Sequence, residues 1–256
     1  MLLPLSTISH AFIHLPICES TMDEAYQWLT KRRSDSPGLG IILADCQTKG
    51  RGTRQRLWHS PKGNLFVSFA FEIPLACQNF SQLSVVSAVA LGEALYTQYP
   101  SLDVRYKWPN DIIVGNQKVA GILTETYEQP DTRWVLVGIG VNLQSAPTLS
   151  GPYEAGSLAI LTGKVYTPLS FLKILVPLFD RFKNLWLKEG FLRIAEEWRK
   201  RALYTGKIVR VVTAQGSQEG TFKGIDSQGF LRLMLPSGEE IIVSAGNVSV
   251  AERQNE

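Results

Sequence analysis

The chain of 256 residues is 45% hydrophobic and 19% charged, and its formal net charge is +3 at pH 7. This composition is ordinary for a globular protein and argues against collagen, coiled-coil and disordered classes. The small net charge also argues against a general nucleic-acid binder, which carries many more cations on one face.

The sequence predicts a cytoplasmic protein, because its cysteines have no disulfide or metal pattern and no targeting segment is expected. Cys18, Cys46 and Cys77 are far apart in the sequence and have no metal-ligand spacing, which is typical of a reducing compartment. Residues 1–16 lack the basic region of a signal peptide, so we expect none. The apolar stretch at residues 83–96 is too short and too polar to cross a bilayer, so no membrane association is expected.

The N-terminal part of the chain predicts helices alternating with strands. Ser20 or Thr21 should begin a helix, because either can cap its N-terminus and acidic residues follow in the first turn. Strands are expected at residues 38–46 and 64–72, and the second should be buried because it is apolar on both faces. Residues 81–99 predict an amphipathic helix capped by Ser81.

The middle of the chain predicts further strands and then helices. Residues 103–128 read as three strands, with a turn at residues 109–111 and a two-residue hairpin loop at Gly115-Asn116 of the type with glycine first. Residues 133–143 predict another apolar strand. Residues 144–163 look like a loop, and residues 168–202 predict helix with a kink or break at Pro177.

These elements predict a fold class and a domain division. Several consecutive strands flanked by helices predict an α+β domain with a mixed β-sheet rather than a regular β-α-β series. From about Tyr204 the sequence changes to short strands separated by Gly, Ser and Asp turns, which predicts a small antiparallel barrel. We therefore expect two domains, residues 1–203 and residues 204–256.

Several common catalytic motifs are missing from the sequence. There is no phosphate-binding G-x-x-x-x-G-K-[ST] loop, no G-x-S-x-G nucleophile turn and no H-E-x-x-H zinc motif. The histidines at positions 10, 14 and 59 form no cluster. Reactions that need no strong protein base are therefore favoured.

The segment at residues 49–64 concentrates positive charge. Its cations are Lys49, Arg51, Arg54, Arg56 and Lys62, and among them stand Gly50, Gly52, Gly63 and Trp58. Glycines let backbone N–H groups approach an anion, arginines bind phosphate or carboxylate through two contacts, and tryptophan offers a stacking face. The combination suits a nucleotide, with a solvated mobile loop and a nucleic-acid groove as alternatives.

Two lysines stand on otherwise apolar predicted strands. Lysine is depleted at such positions unless it is exposed at an edge or functional. For Lys107 an exposed strand face is an equal alternative to a functional role. For Lys118, just after the hairpin turn, an edge position is the simpler explanation, and Asn110 and Asp111 are turn residues by type.

Taken together, these segments resemble the biotin–protein ligase family, which is related to the lipoate ligases. The family's K-W-P-N-D motif is present at residues 107–111 and its K-[LV]-A-G-I-L strand at residues 118–123. Its glycine-arginine loop ending in tryptophan is similar to residues 50–58. Its G-[IV]-N strand end is similar to residues 140–142, and its Ser-Thr opening is similar to residues 20–21.

The resemblance implies a fold, a reaction and a set of partners. The fold is the biotin/lipoate ligase catalytic domain, similar to class II aminoacyl-tRNA synthetases, followed by a small SH3-like β-barrel. The reaction would convert biotin and ATP, with Mg²⁺ on the phosphates, to biotinyl-5'-AMP and then transfer biotin to a lysine of the biotin carboxyl carrier protein. Because Ser20-Thr21 already opens the catalytic domain, no DNA-binding domain and no DNA partner are expected, and a homodimer is left open.

The resemblance also assigns roles to individual residues. Those implied to be catalytic are Lys118, Arg51 and Arg56. Those implied to bind biotin are Ser20, Thr21, Gln47, Gly50, Arg51, Gly52, Thr53, Lys118 and Gly121. Those implied to bind the nucleotide are Arg51, Arg54, Trp58, Lys107, Asn110, Asp111 and Asn142. The missing histidine cluster agrees with this set, because a carboxylate attacking a phosphate needs cations rather than a base.

One departure from the family pattern lies in the basic loop. The family often has arginine and glycine where this chain has Thr53 and Gln55, and that arginine is associated with holding the activated intermediate. How long this chain retains the intermediate is therefore left open, with Arg54 as a candidate replacement. The alternative functions are a lipoate or octanoate ligase on the same fold, a nucleic-acid-binding module and an inactive carrier-binding scaffold.

Overall fold

Two β-sheets and five helices make up the computed structural model, which describes residues 10–33, 36, 38–75, 77, 79–148 and 154–251. The large sheet contains β1 (His10–Leu15), β2 (Leu39–Ala44), β3 (Leu65–Pro74), β4 (Val104–Lys107), β5 (Asp111–Val114), β6 (Gln117–Glu128), β7 (Thr132–Val141) and β8 (Glu154–Ala155). The helices are α1 (Thr21–Lys31), α2 (Gln82–Gln98), α3 (Leu158–Thr162), α4 (Pro168–Glu189) and α5 (Leu192–Lys200). The small sheet contains β9 (Ile208–Thr213), β10 (Gly216–Ile225), β11 (Leu231–Met234), β12 (Glu240–Val243) and β13 (Asn247–Val250).

The large sheet is mixed, with the strand order β1-β2-β3-β7-β6-β5-β4 and β8 paired to β6. β1 runs parallel to β2 and β8 runs parallel to β6, while the other neighbouring strands are antiparallel. The small sheet is antiparallel, in the order β12-β11-β10-β9-β13. The predicted α+β class, a mixed sheet flanked by helices with a separate C-terminal β domain, is confirmed.

One face of the large sheet carries the main hydrophobic core. Alternate residues of a strand point to the same face, and in β3 the odd-numbered ones point into this core. There Phe69 stacks on Phe179 of α4, with ring centroids 3.9 Å apart. Each such fully buried aromatic side chain contributes about 1.5–3 kcal/mol to folding. The same core continues into the small sheet through Phe222 and Leu231.

The opposite face of the large sheet is covered mainly by α1. Ser20 caps this helix as predicted, since its Oγ accepts a hydrogen bond from the Met22 N–H at 3.3 Å. Below the cap, Met22, Ala25 and Leu29 pack in a small apolar cluster with Ile42 of β2 and neighbouring strands. Beyond the N-terminus of α1 this face is not sealed by a helix, and the pocket described below opens there.

Polar contacts fix the small sheet against the large one. Trp108 Nε1 donates to the Gly229 carbonyl at 3.0 Å, and Gln82 Nε2 donates to the Ser227 carbonyl at 2.7 Å. On the other side, Arg199 Nη2 donates to a carbonyl in β10 at 3.0 Å. The loop from residue 244 to 247 is thereby held beside the large sheet. The predicted boundary near residue 203 stays a prediction.

Several sequence predictions about helices were wrong in detail. α2 is not amphipathic, because it is buried on most sides, and the Ser81 side chain does not cap it but donates to the Gln228 carbonyl at 2.9 Å. α4 runs without a break through Pro177, and the predicted helix at residues 168–202 is instead divided at Gly190. Within the described residues, no helix has the length and apolarity needed to cross a bilayer.

Predictions about strands and turns also needed correction. β1 lies in a segment for which no element was predicted, and it pairs in parallel with β2. Gly115 and Asn116 both have positive φ, 54° and 64°, so the hairpin belongs to the type with two left-handed residues rather than glycine alone. The predicted loop at 144–163 contains β8 and α3, with residues 149–153 outside the described part.

Candidate functional site

A cavity of about 460 Å³ lies on the face of the large sheet that α1 leaves open. Most of the residues assigned by the resemblance line it: Ser20, Thr21, Gln47, Arg51, Gly52, Thr53, Arg54, Arg56, Trp58, Lys107, Asn110, Asp111, Lys118, Gly121 and Asn142. Gly50 is not in the lining but packs directly behind it, where an added Cβ would lie 2.5 Å from the Trp58 carbonyl oxygen. The structure therefore brings together segments from four separate parts of the sequence.

The floor of the cavity is built from glycines of β6 and β7. Gly121 and Gly140 are paired across the two strands, and the indole of Trp58 lies against both. A Cβ on Gly140 would lie 2.5 Å from Trp58 Cε2, and a Cβ on Gly121 would lie 2.9 Å from Trp58 Cζ3. Such contacts are too short for carbon atoms, so only glycine at both positions lets the indole approach the sheet.

The end of the cavity nearest α1 is polar but uncharged. Gln47 Oε1 accepts hydrogen bonds from the Thr21 N–H at 2.8 Å and from Thr21 Oγ1 at 3.0 Å. Gln47 Nε2 donates to Ser60 Oγ at 2.9 Å, and Ser68 Oγ donates to Thr21 Oγ1 at 2.8 Å. This connected network holds an amide and hydroxyl groups in fixed orientations beside the start of α1.

The opposite end of the cavity is charged. Asp111 lies between two lysines, with Oδ1 2.5 Å from Lys118 Nζ and Oδ2 3.7 Å from Lys107 Nζ. Asp111 Oδ1 has no partner at hydrogen-bond angles, so the Lys118 contact is an ion pair rather than a directed hydrogen bond. Lys118 Nζ also lies 5.4 Å from the centre of the Trp58 ring. Lys118 is thus held at the floor by a carboxylate and an aromatic face.

Lys107 is buried, with 4% of its surface exposed, so the alternative of a solvated strand face is wrong. Its Nζ donates to Asn247 Oδ1 of β13 at 3.3 Å, which links the small sheet to the charged end. Burial lowers the pKa of Lys107, the carboxylate of Asp111 opposes this, and the nearby charges of Lys118 and Arg56 lower it further. Three cations therefore converge on the region around one carboxylate.

The basic loop folds into a short hairpin over the cavity. Arg51 and Leu57 form an antiparallel bridge, the Gly52 N–H donates to the Arg56 carbonyl at 2.7 Å, and the Trp58 N–H donates to the Gly50 carbonyl at 2.8 Å. The tip is a single 3₁₀ turn at Thr53–Gln55, in which Arg54 has a left-handed φ of 57°. The backbone of this segment is paired across the hairpin, and the alternative of a solvated mobile loop stays untested.

Arg51 points to two carboxylates beside the cavity. Its Nη1 lies 2.5 Å from Asp23 Oδ1 of α1, and its Nη2 lies 3.5 Å from Glu125 Oε1 of β6. Tyr127 donates to the second oxygen of Glu125 at 2.8 Å. Burial lowers the pKa of Arg51, but the hydrogen bond to Asp23 and the charge of Glu125 outweigh it and raise the pKa above its ordinary value.

Besides Asp111 Oδ1, two buried polar atoms of the lining have no hydrogen-bond partner among the described residues. They are Trp58 Nε1 and Asn142 Oδ1. The rest of the Asn142 amide is used, since Nδ2 donates to the Gly156 carbonyl at 3.1 Å. Asn110 differs, because its Nδ2 donates to the Ile122 carbonyl at 2.7 Å and it therefore clamps the turn after β4 to β6. An unpartnered buried donor and acceptor in one cavity indicate a place for a polar ligand.

Sequence reasoning missed several residues of the site, among them Ser68, Ser60 and Asn247. Ser68 is the one hydroxyl in β3, and its place in a buried strand could have marked it. Ser60 follows the basic loop and carried no signal of its own. Asn247 belongs to the small sheet, and no residue pattern placed that sheet at the cavity.

A protein-bound metal centre is not formed by the residues that the structure describes. In these ranges no group of three His, Cys, Asp or Glu side chains is arranged to hold a metal ion. The carboxylate at the charged end, Asp111, is already compensated by Lys107 and Lys118.

The sequence is similar to two protein-family patterns. Residues 15–142 match the biotin/lipoate A/B protein ligase family, and residues 204–250 match the biotin protein ligase C-terminal domain. The first match spans the cavity lining from α1 to the end of β7. The second covers the small sheet.

Individual relatives agree with these patterns. A biotin–[acetyl-CoA-carboxylase] ligase of Paracoccus denitrificans is 36% identical over 220 residues, which are 82% of this chain and 91% of the relative. A bifunctional ligase/repressor of Bacillus subtilis is 30% identical over 91% of this chain and 72% of its own length. The structure of the Aquifex aeolicus biotin protein ligase in complex with biotin and ATP is 25% identical, with a TM-score of 0.78 over 94% of this chain and 99% of that one.

Proposed function

This chain belongs to the biotin/lipoate A/B protein ligase family, and we propose that it is an enzyme that activates biotin with ATP and attaches it to a carrier protein. The observation that carries the proposal is the cavity with one uncharged hydrogen-bonding end and one cationic end. Biotin has a matching polarity, with a neutral ureido ring at one end and a carboxylate at the other.

The polar end of the cavity would bind the ureido ring. A buried ring with N–H and carbonyl groups needs donors and acceptors in place of water. Gln47 has one amide N–H left for an acceptor of the ring, since its Nε2 donates once to Ser60 and its Oε1 already accepts twice from Thr21. The lipoyl ring offers no N–H or carbonyl group, so in this end of the cavity it would leave polar groups unpaired at a cost in binding. We therefore assign biotin rather than lipoate.

The cationic end would bind the biotin carboxylate and the α-phosphate of ATP. Lys118 lies at the junction between the floor and this end, so its ammonium can contact both anions. Arg56 lies close enough to the same end to lower the pKa of Lys107. The unpaired Trp58 Nε1 and Asn142 Oδ1 would serve the nucleoside.

The first step joins two anions and needs no base. A carboxylate oxygen of biotin attacks the α-phosphorus, the bond to the bridging oxygen breaks, and pyrophosphate leaves with both bonding electrons. The products are biotinyl-5'-AMP and pyrophosphate. Lys118 and Arg56 would lower the barrier by compensating negative charge that converges in the transition state, and the cavity holds the reactants in line.

The second step transfers the biotinyl group to a lysine. The neutral amine of the carrier lysine attacks the acyl carbon, an amide bond forms, AMP leaves and the amine loses a proton. We assign the carrier as the biotin carboxyl carrier protein of acetyl-CoA carboxylase, since the Paracoccus relative is named for that carboxylase. Until the amine arrives, the hairpin at residues 50–58 would limit access of water to the mixed anhydride.

Magnesium would enter with ATP as part of the substrate. Magnesium ions in such sites bind chiefly to phosphate oxygens and water, with few protein ligands. This agrees with the absence of a three-residue metal group in the described ranges. The residues of the chain would then need only to bind the magnesium–nucleotide complex and compensate its remaining charge.

The test is pyrophosphate exchange into ATP, measured with biotin and with lipoate as separate acyl substrates. We expect exchange with biotin, and weak or undetectable exchange with lipoate. Addition of the carrier protein should then give a biotin-labelled lysine. Exchange with lipoate but not with biotin would favour the lipoate ligase. No exchange with either acid would contradict an adenylating enzyme.

A further inference from the structure

The arginines of the hairpin at residues 50–58 differ in their partners. Arg51 contacts carboxylates of two other elements, α1 and β6. Within the described part of the chain, neither Arg54 nor Arg56 has an acidic partner at ion-pair distance, and both are exposed. The three side chains therefore have different tasks, although they stand on one short segment.

The contacts of Arg51 tie the hairpin to the two elements that build the cavity. Asp23 stands in the first turn of α1, whose cap and first residue form the polar end. Glu125 stands on β6, four residues beyond the floor glycine Gly121. An arginine that bridges these elements fixes the distance of the hairpin from both of them.

The Glu125 carboxylate is itself held in place. Tyr127 donates to its Oε2, so Oε1 is left facing Arg51. The hydroxyl of Tyr127 is constrained in turn, because its ring lies 4.7 Å from that of Tyr26 on α1. A carboxylate with one oxygen fixed and the other paired to guanidinium is a directional anchor, since arginine presents its donors in a rigid fork.

The base of the hairpin transmits the position of Arg51 to its tip. Arg51 is bridged to Leu57, and the backbone contacts of Gly52 and Trp58 close the ladder on either side. Moving Arg51 would therefore move Arg54, Arg56 and the Trp58 ring together. The side chain is 36% exposed and Glu125 is 27% exposed, so the pair is partly shielded from water.

We propose that Asp23 and Glu125 are positioning residues that act through Arg51: they hold the hairpin at residues 50–58 across the cavity, and they leave Arg54 and Arg56 at its tip to contact the anionic substrates. This inference rests on the proposed function for its substrates, whereas the anchor itself consists of contacts within the chain. It removes Arg51 from the catalytic set that the family resemblance implied and makes it a positioning residue.

The test is the double variant Asp23→Asn/Glu125→Gln, which keeps the shape of both side chains and removes both charges. Without ligand, trypsin should cleave after Arg54 and Arg56 about tenfold faster than in the wild type, the factor expected from losing one charge-assisted hydrogen bond. In pyrophosphate exchange, KM for biotin should rise about tenfold and kcat should also fall, because the misplaced hairpin carries Arg54 and Arg56 away from the anionic substrates. Cleavage sites are identified by mass spectrometry, and thermal denaturation checks the fold.

The matched control is Glu19→Gln, which breaks the exposed ion pair between Glu19 and Lys49 beside the same loop. Its cleavage rate and KM should stay within about twofold of the wild type, as for most exposed pairs. If the double variant folds poorly, Glu125→Gln alone replaces it, with the same directions and smaller effects.

A mutant cycle separates an anchor from a catalytic Arg51. Arg51→Gln should match the double carboxylate variant, and combining all three changes should add nothing, because residues that act as one unit are not additive. A large loss of kcat in Arg51→Gln alone, or wild-type cleavage and KM in the double variant, would overturn the proposal. Failure of the wild type to activate biotin would contradict the proposed function, and the cleavage assay without ligand would still decide the anchor.

Discussion

The two faces of the large sheet use the same strands for different purposes. On the core face, β3 presents Phe69 and Phe71 to α4, and large apolar side chains fill the space under the helices. On the other face, the same strand presents Phe66 and Ser68, and the neighbouring strand β7 presents Gly138 and Gly140. The core face is filled by large side chains, whereas the other face has glycines at the positions where the Trp58 indole and Met22 approach the sheet.

This difference explains where the cavity lies. Helices seal a sheet only where large side chains on both elements can interdigitate. α1 makes such contacts near Ile42 and Leu136 but begins at its cap residue Ser20, so the sheet beyond that end is not covered by this helix. There Trp58 and the hairpin cover the sheet instead, because Gly121 and Gly140 let the indole lie against it.

The largest expected effect is on the core face. Phe179→Ala should lower the free energy of unfolding by about 3–5 kcal/mol, because it removes the ring that stacks on Phe69 and leaves a cavity. Chemical denaturation measures the change. Biotin activation per folded molecule should remain close to that of the wild type, and a selective loss of activity at unchanged stability would contradict the division between the faces.

The second effect is on the cationic end. Lys118→Ala should reduce biotin-dependent pyrophosphate exchange by two orders of magnitude or more, equivalent to ~3 kcal/mol of transition-state stabilisation. Stability should change little, because Lys118 lies on the open face and is about one-third exposed. Near-normal exchange would remove Lys118 from the mechanism, and Lys62→Ala, an exposed lysine of the same basic segment, serves as the control.

The third effect tests whether the floor of the cavity needs glycine. In Gly140→Ala the new Cβ would lie 2.5 Å from the Trp58 indole, so the ring and the hairpin must shift. We expect kcat/KM to fall about 10- to 100-fold, the usual consequence of displacing a site by ~1 Å. Gly38→Ala is the matched control, since no described residue has an atom within 4 Å of the added Cβ. Equal activity of the two variants would mean that the floor need not be flat.

The smallest effect concerns pH and the buried Lys107. Burial lowers its pKa below 10.5, so between the lowered value and the ordinary one the unfolded state binds more protons than the folded state. The free energy of unfolding should therefore rise with pH in the wild type relative to Lys107→Met, in the range just below the ordinary lysine pKa of 10.5. Parallel stability curves for the two proteins would show that Lys107 is not desolvated as the structure indicates.

Residue types and spacing predicted the elements that depend on interactions between neighbours in the sequence. The cap at Ser20, the buried β3 and the change to short strands after residue 203 were all read from residue types and spacing. Prediction from local sequence failed where contacts with other elements of the fold outweigh local preference. β1 forms next to Pro16 because pairing with β2 satisfies its backbone, and α2 is apolar on most sides because the sheet, α4 and α5 surround it.

The residue types and spacings of the sequence alone determined which segments carry chemistry, since K-W-P-N-D, the basic loop and K-V-A-G-I-L are local patterns. Only the tertiary structure decided how these residues divide their tasks. It buried Lys107 against Asn247, placed Ser68 beside Thr21, and turned Arg51 toward Asp23 and Glu125. These pairs lie 28 to 140 positions apart in the chain, and contacts over such separations depend on strand order and packing, which no local pattern encodes.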